Sequence, residues 1–251
     1  MAGATPHQNG AKASVLRSVL LSPAGDLAVL ASAASAGADA LLIDPSENLI
    51  GVAEFLRQRD RSSRPVFVQV SADETRVDAE LNALMPGAPH GVAVMGFSDG
   101  GALSLLGARI AAREAINGLP DGSTRILPIM ATGAALTRLG TIRDAGPRLL
   151  ALGWDAEALA ADIAAASAWE SGGLIEPLAV ARSLCLAAAA AAGVPAIDTA
   201  MAASAENADL IDAAESARRH GFRGKFARRA DQVRILNEIF AGQPGRQAPR
   251  P

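Results

Sequence analysis

The side chains of this sequence best suited to chemistry lie just beyond short apolar runs. In order they are Pro23, Asp44 with Glu47, Gln69 with Ser71, Gly96, Thr132, Trp154 with Asp155, Asp198 with Thr199, and Arg228 with Arg229. A metal-assisted carbon–carbon lyase needs two carboxylates on Mg²⁺ and a cation for a substrate carboxylate or carbonyl. Asp44, Glu47, Asp155 and Asp198 are the available carboxylates, and Arg228 or Arg229 the cation. The same residues have a plainer use: an Asp after a strand caps the next helix, and a loop arginine sits in solvent. Histidine chemistry fits poorly, because His7, His90 and His220 share no metal-ligand spacing. Gly96-Phe97-Ser98-Asp99-Gly100-Gly101 lacks both the dinucleotide-binding spacing and the lysine of a phosphate loop, so it reads as a turn.

What must position these residues is an alternation of strands and helices, clearest from His220 to Phe240. There a glycine-capped helix end is followed by the short strand Lys225–Ala227. A closing helix then runs over Asp231–Phe240, with Val233, Leu236, Ile239 and Phe240 at helical spacing. Earlier strands are expected at Arg17–Leu21, Ala40–Ile43, Pro65–Val70, Gly91–Met95, Arg125–Met130, Leu149–Leu152 and Pro195–Ile197.

Helices are expected between them: one capped by Asp26 and running to Ala34, then Leu49–Arg59, Asp73–Leu84, Leu103–Ile116 and Ala134–Leu139. The pair Glu157–Ala168 and Pro177–Ala192 and the helix Asn207–His220 complete the set. Eight strand–helix units in one run are most simply closed as a (β/α)8 TIM barrel; an open doubly wound α/β sheet is the alternative. The expected organisation is a flexible tail over 1–14, a single barrel domain over 15–240 and a disordered tail over 241–251.

With 251 residues, 50% apolar and 20% charged, the chain can bury a full core as one domain. Aromatics are only 3% and Tyr is absent, so that core rests on Ala, Leu, Ile and Val. A net charge of −3 argues against a nucleic-acid or anionic-membrane partner. The single cysteine, Cys185, excludes an intrachain disulfide framework and reads as an inert buried thiol. The first fourteen residues carry no apolar run after a charged start, and Leu184–Val194 is shorter than the roughly twenty residues of a membrane span. A cytoplasmic protein is expected.

Several segments, in order, resemble the citrate lyase β-subunit-like branch of the HpcH/HpaI aldolase family. They are Arg17-Ser18-Val19-Leu20-Leu21-Ser22-Pro23, Ala36–Ala40 with Leu42-Ile43-Asp44, Ala181-Arg182-Ser183, and Ala192–Thr199. The closing block is Gly221-Phe222-x-Gly224-Lys225 with Asp231-Gln232-Val233 and Asn237-Glu238-x-Phe240. The resemblance spans about Arg17 to Phe240, and its C-terminal third is the most specific part. It implies a TIM barrel, a homo-oligomer, and Mg²⁺-dependent cleavage or formation of carbon–carbon bonds in hydroxyacyl-CoA or 2-oxo acid substrates.

At the positions that carry this chemistry the chain departs from the family pattern. An acidic block becomes Asp44-Pro45-Ser46-Glu47, the substrate-binding Arg falls on Gln69, and a Pro-Lys pair on Met95-Gly96. The two metal carboxylates fall on Ala131 and Ala158, with Thr132 kept, and the closing Ile-His-Pro becomes Arg228-Arg229-Ala230. A helical arm beyond Phe240 is missing, so self-association without helix exchange is expected.

The resemblance therefore implies a degenerate site in which Mg²⁺ is expected from the family but not bound. Substrate-side contacts would fall on Gln69, Ser71, Thr132, Asp198, Arg228 and Arg229. Two readings stay open. One is an active lyase with its metal moved to Asp44, Glu47, Asp155 or Glu157. The other is a non-catalytic member that binds an acyl-CoA, a small carboxylic acid or a partner subunit.

Overall fold

Short aliphatic runs bounded by Gly, Pro and Asp form the strands β1 (Ser18–Pro23), β2 (Ala40–Asp44), β3 (Val66–Val70), β4 (Gly91–Met95), β5 (Arg125–Met130) and β6 (Leu152–Trp154). A small hairpin, β7 (Trp169–Glu170) with β8 (Gly173–Leu174), intervenes before β9 (Ala196–Asp198) and β10 (Gly224–Ala227). This architecture comes from a computed structural model that describes residues 16–23, 27–170, 173–202 and 204–242. The expected tail over 1–14, the expected tail over 241–251 beyond residue 242, and the Asp26 cap lie outside the described residues.

All barrel strands are parallel, and β1 closes the sheet by pairing with β10, with Ser18 opposite Lys225 and Val19 opposite Phe226. That pairing excludes the open sheet and makes the chain a (β/α)8 TIM barrel. Helices α1 (Leu27–Ser35), α2 (Leu49–Gln58), α3 (Glu74–Leu84), α4 (Gly100–Ile116), α5 (Gly133–Thr137), α6 (Ala156–Asp162), α7 (Glu176–Ala191), α8 (Asn207–His220) and α9 (Ala230–Ile239) surround it.

Side chains alternate across each strand, so two separate cores form. Val19, Leu42, Phe67, Ala93, Ile129, Ile197 and Phe226 fill the barrel interior. Leu20, Leu41, Ile43, Val68, Val92, Ile126 and Trp154 face outward beneath the helices. Two aromatic rings plug the interior because their neighbours have no side chain. A Cβ on Gly91 would stand 2.3 Å from the Phe67 ring, and one on Gly153 would stand 2.8 Å from Phe226.

Five helices start on a side-chain cap placed just after a strand or loop: Asn48, Asp73, Asp99, Thr132 and Asp155. Each cap contributes on the order of 1 kcal/mol. Asp99 starts α4 at Gly100, three residues before the expected Leu103, because the cap outweighs the low helix propensity of Gly100 and Gly101.

Two expectations need correction. The sixth strand runs to Trp154 instead of ending at Leu152; Leu149 forms an isolated bridge to Ile126, and the ladder continues through Gly153 and Trp154. The helix expected over Glu157–Ala168 ends at Asp162. Ala164, at φ 57°, takes the left-handed position that usually calls for glycine. Its N–H reaches the Ala161 carbonyl and the Ala165 N–H reaches that of Ala160, so the helix stops in a Schellman motif.

Candidate functional site at the barrel mouth

Continuing the inward alternation past the strand ends brings Pro23, Asp44, Gln69, Met95, Ala131, Asp155 and Arg228 to the carboxyl-terminal mouth, where TIM barrels build their sites. The mouth has two lobes that share Asp44, Gln69 and Met95. One, of about 480 Å³, reaches Ser71, Gly96, Ala131, Thr132, Ala158 and Asp162. The other, of about 390 Å³, reaches Leu21, Pro23, Asp155, Phe226 and Arg228.

Most polar groups here are committed to backbone. Asp155 Oδ1 accepts from Ala158 N at 3.0 Å, and Thr132 Oγ1 accepts from Ala135 N at 3.2 Å. Asp162 Oδ2 accepts from Gly133 N at 2.8 Å, so it ties α6 to the start of α5. Ser71 N donates to Glu80 Oε2 at 2.6 Å, and the Ser71 hydroxyl accepts from Asp73 N. Asp44 accepts from Ser46 N at 3.0 Å in a tight turn.

Arg228 bonds Glu157 at 2.7 Å on the lobe's edge, while its Nε is out of solvent with no acceptor among the described residues. Arg228 thus has donor capacity to spare for an anion in the lobe. A guanidinium makes charge-assisted hydrogen bonds to a carboxylate.

Besides Glu157, which lines neither lobe and reaches the mouth only through Arg228, three sequence candidates stand outside it. Glu47 is exposed and lines neither lobe. Arg229 pairs with Asp231 at 2.9 Å and donates to the Ala205 carbonyl, which fastens the start of α9 to the approach to α8. Asp198 is turned away from the mouth. Its neighbour Ile197 points into the barrel, so Asp198 points out beneath the helices and is 1% exposed.

On that outer face Asp198 gathers partners that reading the strand ends does not reveal. Trp154 Nε1 and Arg182 Nε donate to Oδ1 at 2.9 and 3.0 Å; Lys225 Nζ and Arg182 Nη2 donate to Oδ2 at 2.9 and 3.1 Å. Burial alone would raise the Asp198 pKa, but the charges of Lys225 and Arg182 outweigh it and hold the carboxyl below its usual range. Cys185, buried nearby on α7, has its thiol pKa raised by burial and by the Asp198 charge, which keeps it protonated.

Few groups at the mouth are placed to hold Mg²⁺. A hard cation takes oxygen ligands that converge from different elements, usually with one or two carboxylates supplied by the protein. Ala131 and Ala158 place methyl groups where carboxylates were expected from the resemblance, and both line the larger lobe. Asp155 and Asp162 are held as caps, and Glu157 is paired with Arg228. Among the described residues no group of three or more His, Cys, Asp or Glu is placed to hold a metal ion.

Residues 17–230 match a family model described as HpcH/HpaI aldolase/citrate lyase. The structure of RipC from Yersinia pestis is 27% identical, with a TM-score of 0.68 over 90% of this chain and 95% of that one. Protein CitE from Mycobacterium tuberculosis, in complex with magnesium, acetoacetate and coenzyme A, is 20% identical, with a TM-score of 0.75 over 92% of this chain and 83% of that one. The citrate lyase β subunit from the same organism, complexed with oxaloacetate and magnesium, is 19% identical, with a TM-score of 0.74 over 91% and 98%. No curated protein sequence matches the chain.

Proposed function

The chain belongs to the HpcH/HpaI aldolase/citrate lyase family, and we propose that it binds a small carboxylic acid or acyl-CoA ester at the barrel mouth without Mg²⁺-dependent carbon–carbon cleavage. The observation that carries this reading is that Ala131 and Ala158 face one lobe together. A metal-assisted lyase stabilises a developing enolate with the cation. Methyl groups at both positions supply neither ligands nor charge for one.

Carboxylate recognition has lost less. Arg228, with its unpartnered Nε, stands beside Gln69 and Ser22 in the smaller lobe. A guanidinium there gives charge-assisted hydrogen bonds to a carboxylate or thioester carbonyl. The ligand class follows that of the family relatives: CitE is seen with acetoacetate and coenzyme A.

The homo-oligomer and the cytoplasmic location expected from sequence belong to the same proposal. Val180 and Leu184, exposed one turn apart on α7, offer an apolar strip for a second copy. Sedimentation showing only monomer at high concentration would remove the oligomer from the reading. Among the described residues no helix is long and apolar enough to cross a membrane.

The test is calorimetry with acetoacetate and with coenzyme A, each with and without Mg²⁺, alongside an assay for cleavage of hydroxyacyl-CoA esters. Binding that ignores Mg²⁺, without cleavage, is the expected result. Mg²⁺-dependent cleavage would establish the active lyase with a relocated metal. Binding of neither ligand would favour a subunit that only holds a protein partner.

A further inference from the structure

We propose that the groove between α7 and α8, on the outside of the barrel, is a second binding site, specific for a small oxyanion such as a carboxylate or phosphate group. The groove encloses about 980 Å³ over the outward face of β9 and β10, on the opposite side of the sheet from the barrel interior. Arg182, Asp198 and Lys225 line its inner end, with Trp169, His220 and Phe222 around them.

The argument is a count of donors against acceptors. Asp198 already accepts four hydrogen bonds, from Trp154, Lys225 and twice from Arg182. A carboxylate has about four lone-pair sites, so this one is full. Lys225, 1% exposed, has three ammonium protons and one partner among the described residues, Asp198 at 2.9 Å. The indole N–H of Trp169 is out of solvent with no acceptor among the described residues.

His220 adds another donor. Its Nδ1 lies 3.2 Å from Arg182 Nη1, and in the tautomer that accepts from the guanidinium there, Nε2 carries the ring hydrogen. The groove is thus lined by several donors, and the carboxylate buried among them, Asp198, is saturated.

Charge points the same way. Two cationic side chains, Arg182 and Lys225, meet one buried carboxylate, Asp198. Burial pulls the Lys225 pKa below its usual value against the pull of Asp198, so a further anion beside it would favour its charged form. The other acids lining the groove, Glu170, Asp209 and Asp212, are all exposed, so solvent and salt screen them more strongly. Arg182 is fixed in place by Phe222, whose ring lies 5.0 Å beneath the guanidinium. The donors are thus pre-arranged.

Both tryptophans of the sequence border this site, Trp154 through Asp198 and Trp169 directly. Tryptophan emission of the full chain is followed while inorganic phosphate or acetate is added at constant ionic strength made up with chloride. The expected result is a saturable change with one or both oxyanions and none with chloride alone. The stronger of the two identifies the favoured group.

Trp169→Phe, which keeps an aromatic ring but deletes the indole N–H, is expected to weaken binding about tenfold with Trp154 still reporting. His220→Ala, at an exposed position, should weaken it several-fold, and Arg228→Ala at the mouth should leave it unchanged. Lys225→Met should abolish it; if that variant does not fold, Trp169→Phe and His220→Ala decide. No saturable response, a chloride response equal to that of the oxyanions, or a response lost in Arg228→Ala but kept in both groove variants would each overturn the proposal.

Discussion

Arg228 Nη2 donates to Glu157 Oε2 at 2.7 Å, joining the loop after β10 to the first turn of α6 across the edge of the mouth. Two residues that could have had opposite roles, anion binding and metal binding, are thereby bound to each other. Both are partly exposed, so their contribution to stability is small, roughly 0.2–1 kcal/mol in a double-mutant cycle. The pair matters more for ligand choice. Arg228→Ala is expected to weaken acetoacetate binding about tenfold, equivalent to about 1.4 kcal/mol. Glu157→Gln should strengthen it, because a competing carboxylate has been removed. Calorimetry on both variants checks this, and weaker binding by Glu157→Gln would count against it.

Ala164 closes α6 with a positive φ that suits glycine better than alanine. The left-handed conformation costs an alanine roughly 1 kcal/mol. Ala164→Gly should therefore stabilise the protein by about that amount and raise the melting temperature by about 2–4 °C. A lower melting temperature would mean that the Ala164 side chain makes contacts worth more than the strain.

His90 governs stability in mild acid. Burial, reinforced by the charges of Arg59 and Arg61, pushes its pKa down to about 4. Its Nδ1 accepts from Val66 N, so the folded chain needs the ring neutral. The unfolded chain takes up the proton near pH 6.5. His90 therefore adds stability that is fully present above about pH 6.5 and is lost as pH falls towards 4. His90→Gln should flatten the melting temperature over that window, and an unchanged pH profile would contradict the assignment.

Glu114 on α4 is 1% exposed and holds the entry to β5. It accepts from the amides of Thr124 at 2.6 Å and Gly122 at 3.0 Å, and pairs with Arg148 at 2.7 Å. Burial works against its charge, yet these partners outweigh it and keep the carboxyl below its usual range. Removing one partner of such a buried pair costs about 3–5 kcal/mol. Glu114→Ala should show a loss of that order in urea unfolding, and a loss under about 1 kcal/mol would show the network to be dispensable.

The barrel is legible in the sequence because strands such as Gly91–Met95 and Arg125–Met130 are unbroken aliphatic runs, and the helices between them carry Asp, Asn or Thr caps. Features that depend on parity or on an unusual cap are harder to read. β9 has three residues, too few to display alternation, so Asp198 reads as a mouth residue when it faces outward. Its partner Arg182 lies on another element, sixteen residues earlier in the chain. Ala164 ends a helix without the glycine that would announce the stop. The hairpin Trp169–Leu174 reads as a plain link between helices because each of its strands has only two residues. The alanines at 131 and 158 are legible as residue types, but that both line one lobe is a property of the fold.

The central claim is that the mouth has lost its cation site, and a thermal-shift titration with Mg²⁺ on metal-stripped protein tests it most directly. A ligand bound by the native state alone adds about 2.7 kcal/mol at a hundred times its Kd. For a chain of this size that raises the melting temperature by roughly 5–10 °C. The account predicts no saturable shift up to millimolar Mg²⁺. A saturable rise that Asp155→Ala or Glu157→Ala abolishes would contradict it and place the ion at the start of α6.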